Sequence, residues 1–129
     1  MIGLGSDLID IRRIEKTFIK FGDRFRDRIF TKLEIKKCEK RSEKISCYAK
    51  RFAAKEAAAK ALGTGFRKGI YWKDLEVINL ASGKPTMKFH GNSKKRLESM
   101  IENKKKALIN LSITDEYPYA QAILMIESK

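Results

Sequence analysis

The chain has 129 residues, of which 43% are hydrophobic and 35% are charged, and its formal net charge is +13. These proportions predict a single globular domain over residues 1–129 and argue against a disordered chain. No apolar run reaches the roughly 20 residues that span a bilayer, and the first ten residues lack the basic start of a signal peptide, so we expect a cytoplasmic protein. The positive charge favours an anionic partner, which could be nucleic acid, an acidic protein or a phosphorylated small molecule.

The N-terminal part of the chain opens with a short strand that is predicted to end near Asp7. Asp10 then caps a helix that Gly22 breaks, and a short apolar piece follows at 25–30. The residues of the helix's apolar stripe are Ile11, Ile14, Phe18 and Phe21. Its other faces are basic.

Two further helices are predicted before residue 65. Thr31 and Glu34 form a capping box for a helix that runs to about Arg41. Ser46 is placed to cap the alanine-rich helix that follows, and Gly63 is placed to end it in a left-handed conformation.

The second half of the chain changes to strand patterns with one helix. The predicted strands are 74–80, 86–89, 107–114 and 119–126, with a lysine-rich helix at 93–103, a turn at 82–85 and a hairpin connection at 115–118. The whole pattern predicts an α+β domain in which an antiparallel sheet packs on helices.

Only a few residues could ligate a soft metal. Cys38 and Cys47 lie nine residues apart and form no CxxC pair. His90, the single histidine of the chain, is the only residue that could add an imidazole ligand. A zinc site is therefore not expected, and free thiols are the default for a reducing compartment. His90 is expected to be a surface residue before a turn.

The alanine-rich stretch RFAAKEAAAKA at 51–61 has high helix propensity, and its small side chains let another group approach the backbone closely. Glu56 and Lys60 are four residues apart, so they project from one face of this helix. The pair could bind a metal and a phosphate, or it could be an ordinary exposed ion pair.

Asp7 is the second carboxylate of interest because it follows Gly5 at the end of the first strand, where approach is open. It could simply begin a turn or cap the first helix. Together with Glu56 it would suit Mg²⁺, which usually takes one or two carboxylates plus water and phosphate oxygens.

Four segments resemble, in order and at the expected spacing, the motifs of holo-[acyl carrier protein] synthases. The segments are GSDLIDIRR at 5–13, RFAAKEAAAKALGTG at 51–65, WKDLEVINLASGKP at 72–85 and NLSITDEYPYAQAIL at 110–124. The resemblance covers nearly the whole chain. It implies the 4′-phosphopantetheinyl transferase fold and an Mg²⁺-dependent enzyme of fatty acid biosynthesis. Such an enzyme moves 4′-phosphopantetheine from coenzyme A to a serine of apo acyl carrier protein and releases adenosine 3′,5′-bisphosphate.

The resemblance also implies roles for individual residues. Asp7 and Glu56 take the Mg²⁺-ligand positions, and Lys60 lies where the family has a lysine near the leaving phosphate. The alanines then leave room for a nucleotide against the helix. Family members of this length are typically homotrimers with shared active sites, and the strand at 119–126 could bury such an interface or belong to a monomer core.

Two further groups of residues are candidates for binding. The candidates for holding the nucleotide are Arg51, Lys55, Gly83, Lys84 and Pro85. Each of these could equally be a surface charge or a turn residue. The candidates for docking the acidic carrier protein are Arg12, Arg13, Lys16, Lys20 and Arg24, which could otherwise be a solvated helix face.

One departure from the family pattern concerns the proton acceptor. Many members read Ser-His where this chain has Thr114-Asp115, so an Mg²⁺-bound water or a carboxylate such as Asp115 would accept the serine proton. The alternative functions are a small basic nucleic-acid-binding protein and a Mg²⁺-dependent nuclease. The first lacks interleaved aromatic and basic residues on a strand, and the second lacks further acidic residues for a two-metal site.

Overall fold

The computed structural model describes all residues, 1–129. The helices are α1 (Ile11–Phe21), α2 (Asp23–Ile29), α3 (Lys32–Glu39), α4 (Lys44–Ala61) and α5 (Gly91–Met100). The strands are β1 (Gly3–Asp10), β2 (Leu75–Asn79), β3 (Pro85–Phe89), β4 (Ala107–Glu116) and β5 (Tyr119–Ser128), and a short 3₁₀ turn at Trp72–Asp74 precedes β2. None of the helices is both long and apolar enough to pass through a bilayer.

The predicted α+β architecture is confirmed, and the strands are divided between two antiparallel sheets. One sheet has the order β1-β5-β4, and the other is the β2-β3 hairpin. Helix α4 packs on the inner face of the larger sheet, and the buried core lies between them. This arrangement places α4 in contact with both sheets.

Most local signals in the sequence act as expected. The Asp10 side chain accepts a hydrogen bond from the Arg12 backbone N–H at the start of α1, and Thr31 and Glu34 form the capping box of α3. Gly63 has a φ of 76°, the left-handed conformation expected after a helix. The predicted Ser46 cap is wrong, because α4 begins at Lys44, after Glu43, without any side-chain cap.

The alanines of α4 serve the contact with β1. A Cβ atom on Gly5 would lie 1.9 Å from the carbonyl oxygen of Ala57, and one on Gly3 would lie 2.4 Å from that of Ala61. Strand and helix backbones therefore approach so closely that only glycine fits on the strand. The alanine side chains are almost all buried in this contact and in the core, so they do not provide a surface for a nucleotide.

Cys38 and Cys47 correct another expectation. Their sulfur atoms form a disulfide that joins α3 to α4, and no free cysteine is present. The expectation of free thiols is therefore wrong. His90 is the residue before α5, and its Nε2 lies 3.1 Å from Oε1 of Glu76, so it is a partner in a polar pair.

Candidate active site

Asp7 and Lys60 meet where β1 crosses α4. Alternate side chains of a strand face the same side, so Asp7 faces α4 in the same way as Gly5. The Lys60 Nζ donates to Asp7 Oδ1 at 3.0 Å and to the backbone carbonyl of Ser6 at 2.9 Å. The lysine side chain is about half exposed (52%), whereas the aspartate side chain is 17% exposed. Asp7 is therefore mostly covered by the protein, whereas the Lys60 side chain is accessible from solvent.

Glu56 adds a second carboxylate to this cluster. Burial raises the pKa of Glu56, the neighbouring charge of Asp7 raises it further, and the Lys60 ammonium lowers it. A carboxylate whose pKa is raised by a second carboxylate favours a bound cation, because a cation relieves the repulsion between the two charges. The structure therefore brings Asp7, Glu56 and Lys60 together in one partly exposed site, which we call the carboxylate site.

A second, separate feature is a basic groove between α3, α4 and β2, with a volume of about 540 Å³. Its basic residues are Lys36, Lys37, Lys40, Arg41 and Arg51. A smaller cavity of about 160 Å³ shares this wall and adds Lys50 and Pro85. A concentration of cations around a concave surface favours a polyanionic ligand.

Arg51 is the most buried cation of the basic groove, with 7% of its surface exposed. Burial lowers the pKa of Arg51 from its ordinary value, and the charge of Glu34 opposes this effect. Its Nη1 donates to the carbonyl and the sulfur of Cys47, while its Nε has no partner. A buried N–H without an acceptor is costly, so an anion in the groove would satisfy it.

The turn between β2 and β3 borders the smaller cavity through Pro85. Gly83 has a φ of 90°, which favours glycine, and its carbonyl accepts a hydrogen bond from the Asn79 side chain at 2.9 Å. Pro85 pairs with Asn79 across the hairpin and lines the same cavity as Arg51. Lys84 is exposed on this turn.

Lys55 does not lie where the sequence predicted a nucleotide contact. Its side chain is fully buried, and its Nζ is 2.8 Å from Oε1 of Glu34. The same Nζ donates to the backbone carbonyls of Trp72 and Leu75. All three N–H groups of the ammonium are therefore occupied inside the protein, so Lys55 has none free for a ligand.

The five basic residues predicted to dock a partner are all exposed on or beside α1. They are Arg12, Arg13, Lys16, Lys20 and Arg24. Arg12 is partly neutralised by Asp10, at 2.7 Å, which leaves the others as the unpaired cations of this surface. Two large apolar side chains lie among them, since Ile19 is 80% and Phe21 is 50% exposed.

Comparison with known proteins identifies the family. Residues 3–122 match the 4′-phosphopantetheinyl transferase superfamily. The holo-[acyl-carrier-protein] synthases of Brucella ovis and Brucella melitensis biotype 2 are each 53% identical to this chain over 128 residues, which cover 99% of this chain and 96% of each relative. The chain belongs to the holo-[acyl-carrier-protein] synthase family.

Solved structures of the holo-[acyl-carrier-protein] synthase family share the fold. The structure from Neisseria meningitidis has a TM-score of 0.84 and 36% identity, covering 98% of this chain and 99% of that chain. The structure from Bacillus anthracis, in complex with coenzyme A (3′,5′-ADP), has a TM-score of 0.78 and 34% identity, covering 99% and 97%. The predicted fold class and family resemblance are therefore confirmed.

Asp115, which stands where many family members have histidine, is a candidate acceptor for the serine proton. Its carboxylate lies 3.6 Å from the ammonium of Lys50, and Lys50 lines the smaller cavity. Asp115 and Asp7 are two strands and two residue levels apart in the β1-β5-β4 sheet, roughly 12 Å between their Cα atoms. Within one chain, Asp115 is therefore outside hydrogen-bond reach of the carboxylate site.

The sequence reasoning missed the contribution of α3 to the basic groove. Lys36, Lys37, Lys40 and Arg41 were visible as two basic pairs at a spacing of four, which falls on one side of a helix. The sequence does not determine which side of α3 faces α4 and β2, because that depends on tertiary packing.

Proposed function

We propose that the protein transfers the 4′-phosphopantetheine group of coenzyme A to a serine of an apo acyl carrier protein, with Asp7, Glu56 and Lys60 as the reacting centre. The serine hydroxyl loses its proton to water, its oxygen forms a bond to the phosphorus of the transferred group, and the bond from that phosphorus to the bridging pyrophosphate oxygen breaks. Adenosine 3′,5′-bisphosphate is the leaving group. The observation that carries this proposal is the carboxylate site, in a chain 53% identical to holo-[acyl-carrier-protein] synthases over its whole length.

Asp7 and Glu56 fit Mg²⁺ as its protein ligands. The ion prefers oxygen donors and usually takes one or two carboxylates, leaving positions for water and phosphate. The charge of Asp7 is one of the causes that raise the pKa of Glu56, and a divalent cation between the two carboxylates would offset their repulsion. When bound, Mg²⁺ supplies positive charge to the pyrophosphate of coenzyme A.

Lys60 is suited to the leaving phosphate. Two of its three N–H groups are held by Asp7 and Ser6, so one remains for a phosphate oxygen. Because the two protein contacts already fix the ammonium, little reorganisation is needed when charge develops on the leaving group. Lys60 therefore either stabilises that charge or protonates the leaving oxygen.

The basic groove and its smaller cavity are suited to the nucleotide end of coenzyme A. The Nε–H of Arg51, which has no acceptor within the protein, would donate to a phosphate oxygen, and Lys37, Arg41 and Lys84 add charge nearby. Pro85 offers an apolar surface beside Arg51. A coenzyme A complex is known for the Bacillus anthracis relative, whose fold this chain shares.

The exposed surface of α1 is suited to an acidic carrier protein. Arg13, Lys16, Lys20 and Arg24 provide cations, and Ile19 and Phe21 provide apolar contacts among them. Charge complementarity of this kind raises association rates and selects acidic partners, while buried apolar groups add affinity.

We further infer a homotrimer, the state that the family resemblance implies, and the outer face of the larger sheet carries uncovered apolar side chains that are suited to its contacts. These side chains alternate with the inward residues of their strands and are 41–63% exposed; they are Leu4, Leu8, Leu108 and Ile123. Such a face favours contact with another copy of the chain. The mass of the protein in solution, measured by light scattering, tests this inference, and a monomer at working concentration would contradict it.

The transfer is tested by incubating the protein with coenzyme A, Mg²⁺ and an apo acyl carrier protein and then weighing the carrier. The expected result is a gain of one phosphopantetheine group per carrier. A carrier of unchanged mass would contradict the proposal. The nucleic-acid-binding alternative is not supported by the family or by its solved structures.

A further inference from the structure

We propose that Lys55 and Glu34 are positioning residues that hold the walls of the basic groove in register for the nucleotide. This inference rests on the proposed function of the groove. It gives Lys55 a role in the site although its side chain touches no ligand.

The pair is entirely inside the protein and completely hydrogen bonded. The Lys55 Nζ contacts Glu34 and the carbonyls of Trp72 and Leu75. The Glu34 carboxylate also accepts from the backbone N–H of Thr31 and of Val77, each at 2.9 Å. Every strong donor of the ammonium therefore has an acceptor, and both carboxylate oxygens have donors.

These contacts connect the three elements that form the basic groove. Lys55 belongs to α4, Glu34 belongs to α3, and Val77 belongs to β2. The groove is lined by residues of the same three elements, including Glu34 and Val77 themselves. The buried pair therefore connects the three elements whose residues line the groove, and Glu34 itself is part of the lining.

The position of Lys55 on α4 links this buried pair to the rest of the site. Lys55 directly precedes Glu56, and Arg51 is four residues before Lys55. Because Arg51 and Lys55 are i and i+4 on one helix, they lie on the same side, and Arg51 reaches the groove above the pair. Glu56 is about 100° further round the helix and faces the carboxylate site.

A general stabilising role would be simpler, and the two roles predict different results. Removing one charge leaves its partner buried and alone, which destabilises the fold. Removing both charges with residues of similar size takes away the lone buried charge, so the double variant should be more stable than Lys55→Met. It should remain less stable than the parent, because the carbonyls of Trp72 and Leu75 lose their donor. A positioning role predicts that this partial recovery of stability does not bring back nucleotide binding.

The test uses Lys55→Met, the double variant Lys55→Met with Glu34→Gln, and Lys44→Met as the matched control. Lys44 also forms an α3–α4 ion pair, with Glu39 at 3.5 Å, but this pair is exposed and outside the groove. The readouts are the melting temperature, the Kd for adenosine 3′,5′-bisphosphate by calorimetry, and KM and kcat with coenzyme A and carrier.

The expected result for the double variant is a melting temperature between those of Lys55→Met and the parent. Its Kd and its KM for coenzyme A should both rise about tenfold, which corresponds to about 1.4 kcal/mol. The KM for the carrier should not change, and Lys44→Met should behave as the parent in every measurement.

A double variant that binds the nucleotide as tightly as the parent would overturn the positioning role and leave a structural one. If the double variant is unfolded, Lys55→Arg, which keeps a positive charge opposite Glu34 but changes the length of the side chain, replaces it, with the same expected rise in KM and the same contradicting result. A parent protein that neither binds the nucleotide nor transfers the group would instead contradict the proposed function itself.

Discussion

The ammonium of Lys60 lies 3.0 Å from Oδ1 of Asp7, and its second contact is the backbone carbonyl of Ser6. This pair joins the first strand of the chain to the end of its longest helix, across 53 residues of sequence. The close packing of Gly5 on Ala57 makes the contact geometrically accessible, because a bulkier strand would hold β1 further from α4. Backbone packing and active-site geometry are therefore one feature of this fold.

Lys60→Met removes the only ammonium of the carboxylate site and should lower kcat. Loss of a donor to developing phosphate charge typically costs about 10²–10³-fold. The KM for coenzyme A should change much less, because the nucleotide is proposed to bind in the separate basic groove. Steady-state kinetics with intact-mass detection measures both, and Lys105→Met, which removes an exposed lysine paired with Glu102, is the control. An unchanged kcat would exclude Lys60 from the reacting centre.

Local signals in the sequence predicted both ends of α1, the start of α3 and the end of α4, because such signals depend on residues within a few positions of each other. Long-range features were harder to predict. Buried lysines are rare, so the sequence favours a nucleotide contact for Lys55, and only the positions of Glu34 and of the turn before β2 show that its ammonium is occupied inside the protein. The alanines of α4 are predicted to face a nucleotide because the glycines that pack on them lie about 50 residues away in sequence, where no local pattern reveals the contact.

The exposed cations of α1 should determine the KM for the carrier. Replacing Arg13 and Lys16 by Glu reverses the charge of this surface and should raise that KM at least about tenfold, while the KM for coenzyme A is unchanged. The effect should shrink as salt rises. Lys94→Glu with Lys95→Glu makes the same change in net charge on exposed residues of α5 and is the matched control. Equal effects of the two double variants would show that only overall charge matters.

Glu76 should stabilise the folded protein at neutral pH and lose this contribution in acid. Burial acts to raise its pKa, but hydrogen bonds from Thr31 and His90 and the charges of His90 and Lys55 hold the pKa below its ordinary value. A carboxylate with a depressed pKa stabilises the folded state fully above its unfolded pKa of about 4.3, and this contribution disappears as pH falls through the folded value.

Glu76→Gln tests this by thermal unfolding between neutral and acidic pH. The variant should be less stable than the parent by about 1–2 kcal/mol at pH 7. The difference should shrink towards zero below about pH 4. Glu98→Gln, at an exposed position of α5, should show no such difference. A difference between Glu76→Gln and the parent that is constant with pH would contradict the argument.

The Cys38–Cys47 disulfide closes a short loop between α3 and α4, with a sequence separation of 9. In the chain-entropy description, a loop of this size stabilises the folded state by about 2.5 kcal/mol. A dithiol reductant should therefore lower the melting temperature of the parent. The variant Cys38→Ser with Cys47→Ser should be less stable from the start and insensitive to the reductant. A parent whose melting temperature does not respond to reductant would contradict this prediction.

The most direct test of the reacting centre is the mass of the carrier protein after incubation with coenzyme A, Mg²⁺ and either the parent or Glu56→Gln. Gln has the size of Glu but lacks its charge, so the variant should keep the melting temperature of the parent. The account predicts that the parent adds one phosphopantetheine group to the carrier and that the variant adds none under the same conditions. Full modification of the carrier by a folded Glu56→Gln variant would contradict the central role of the carboxylate site.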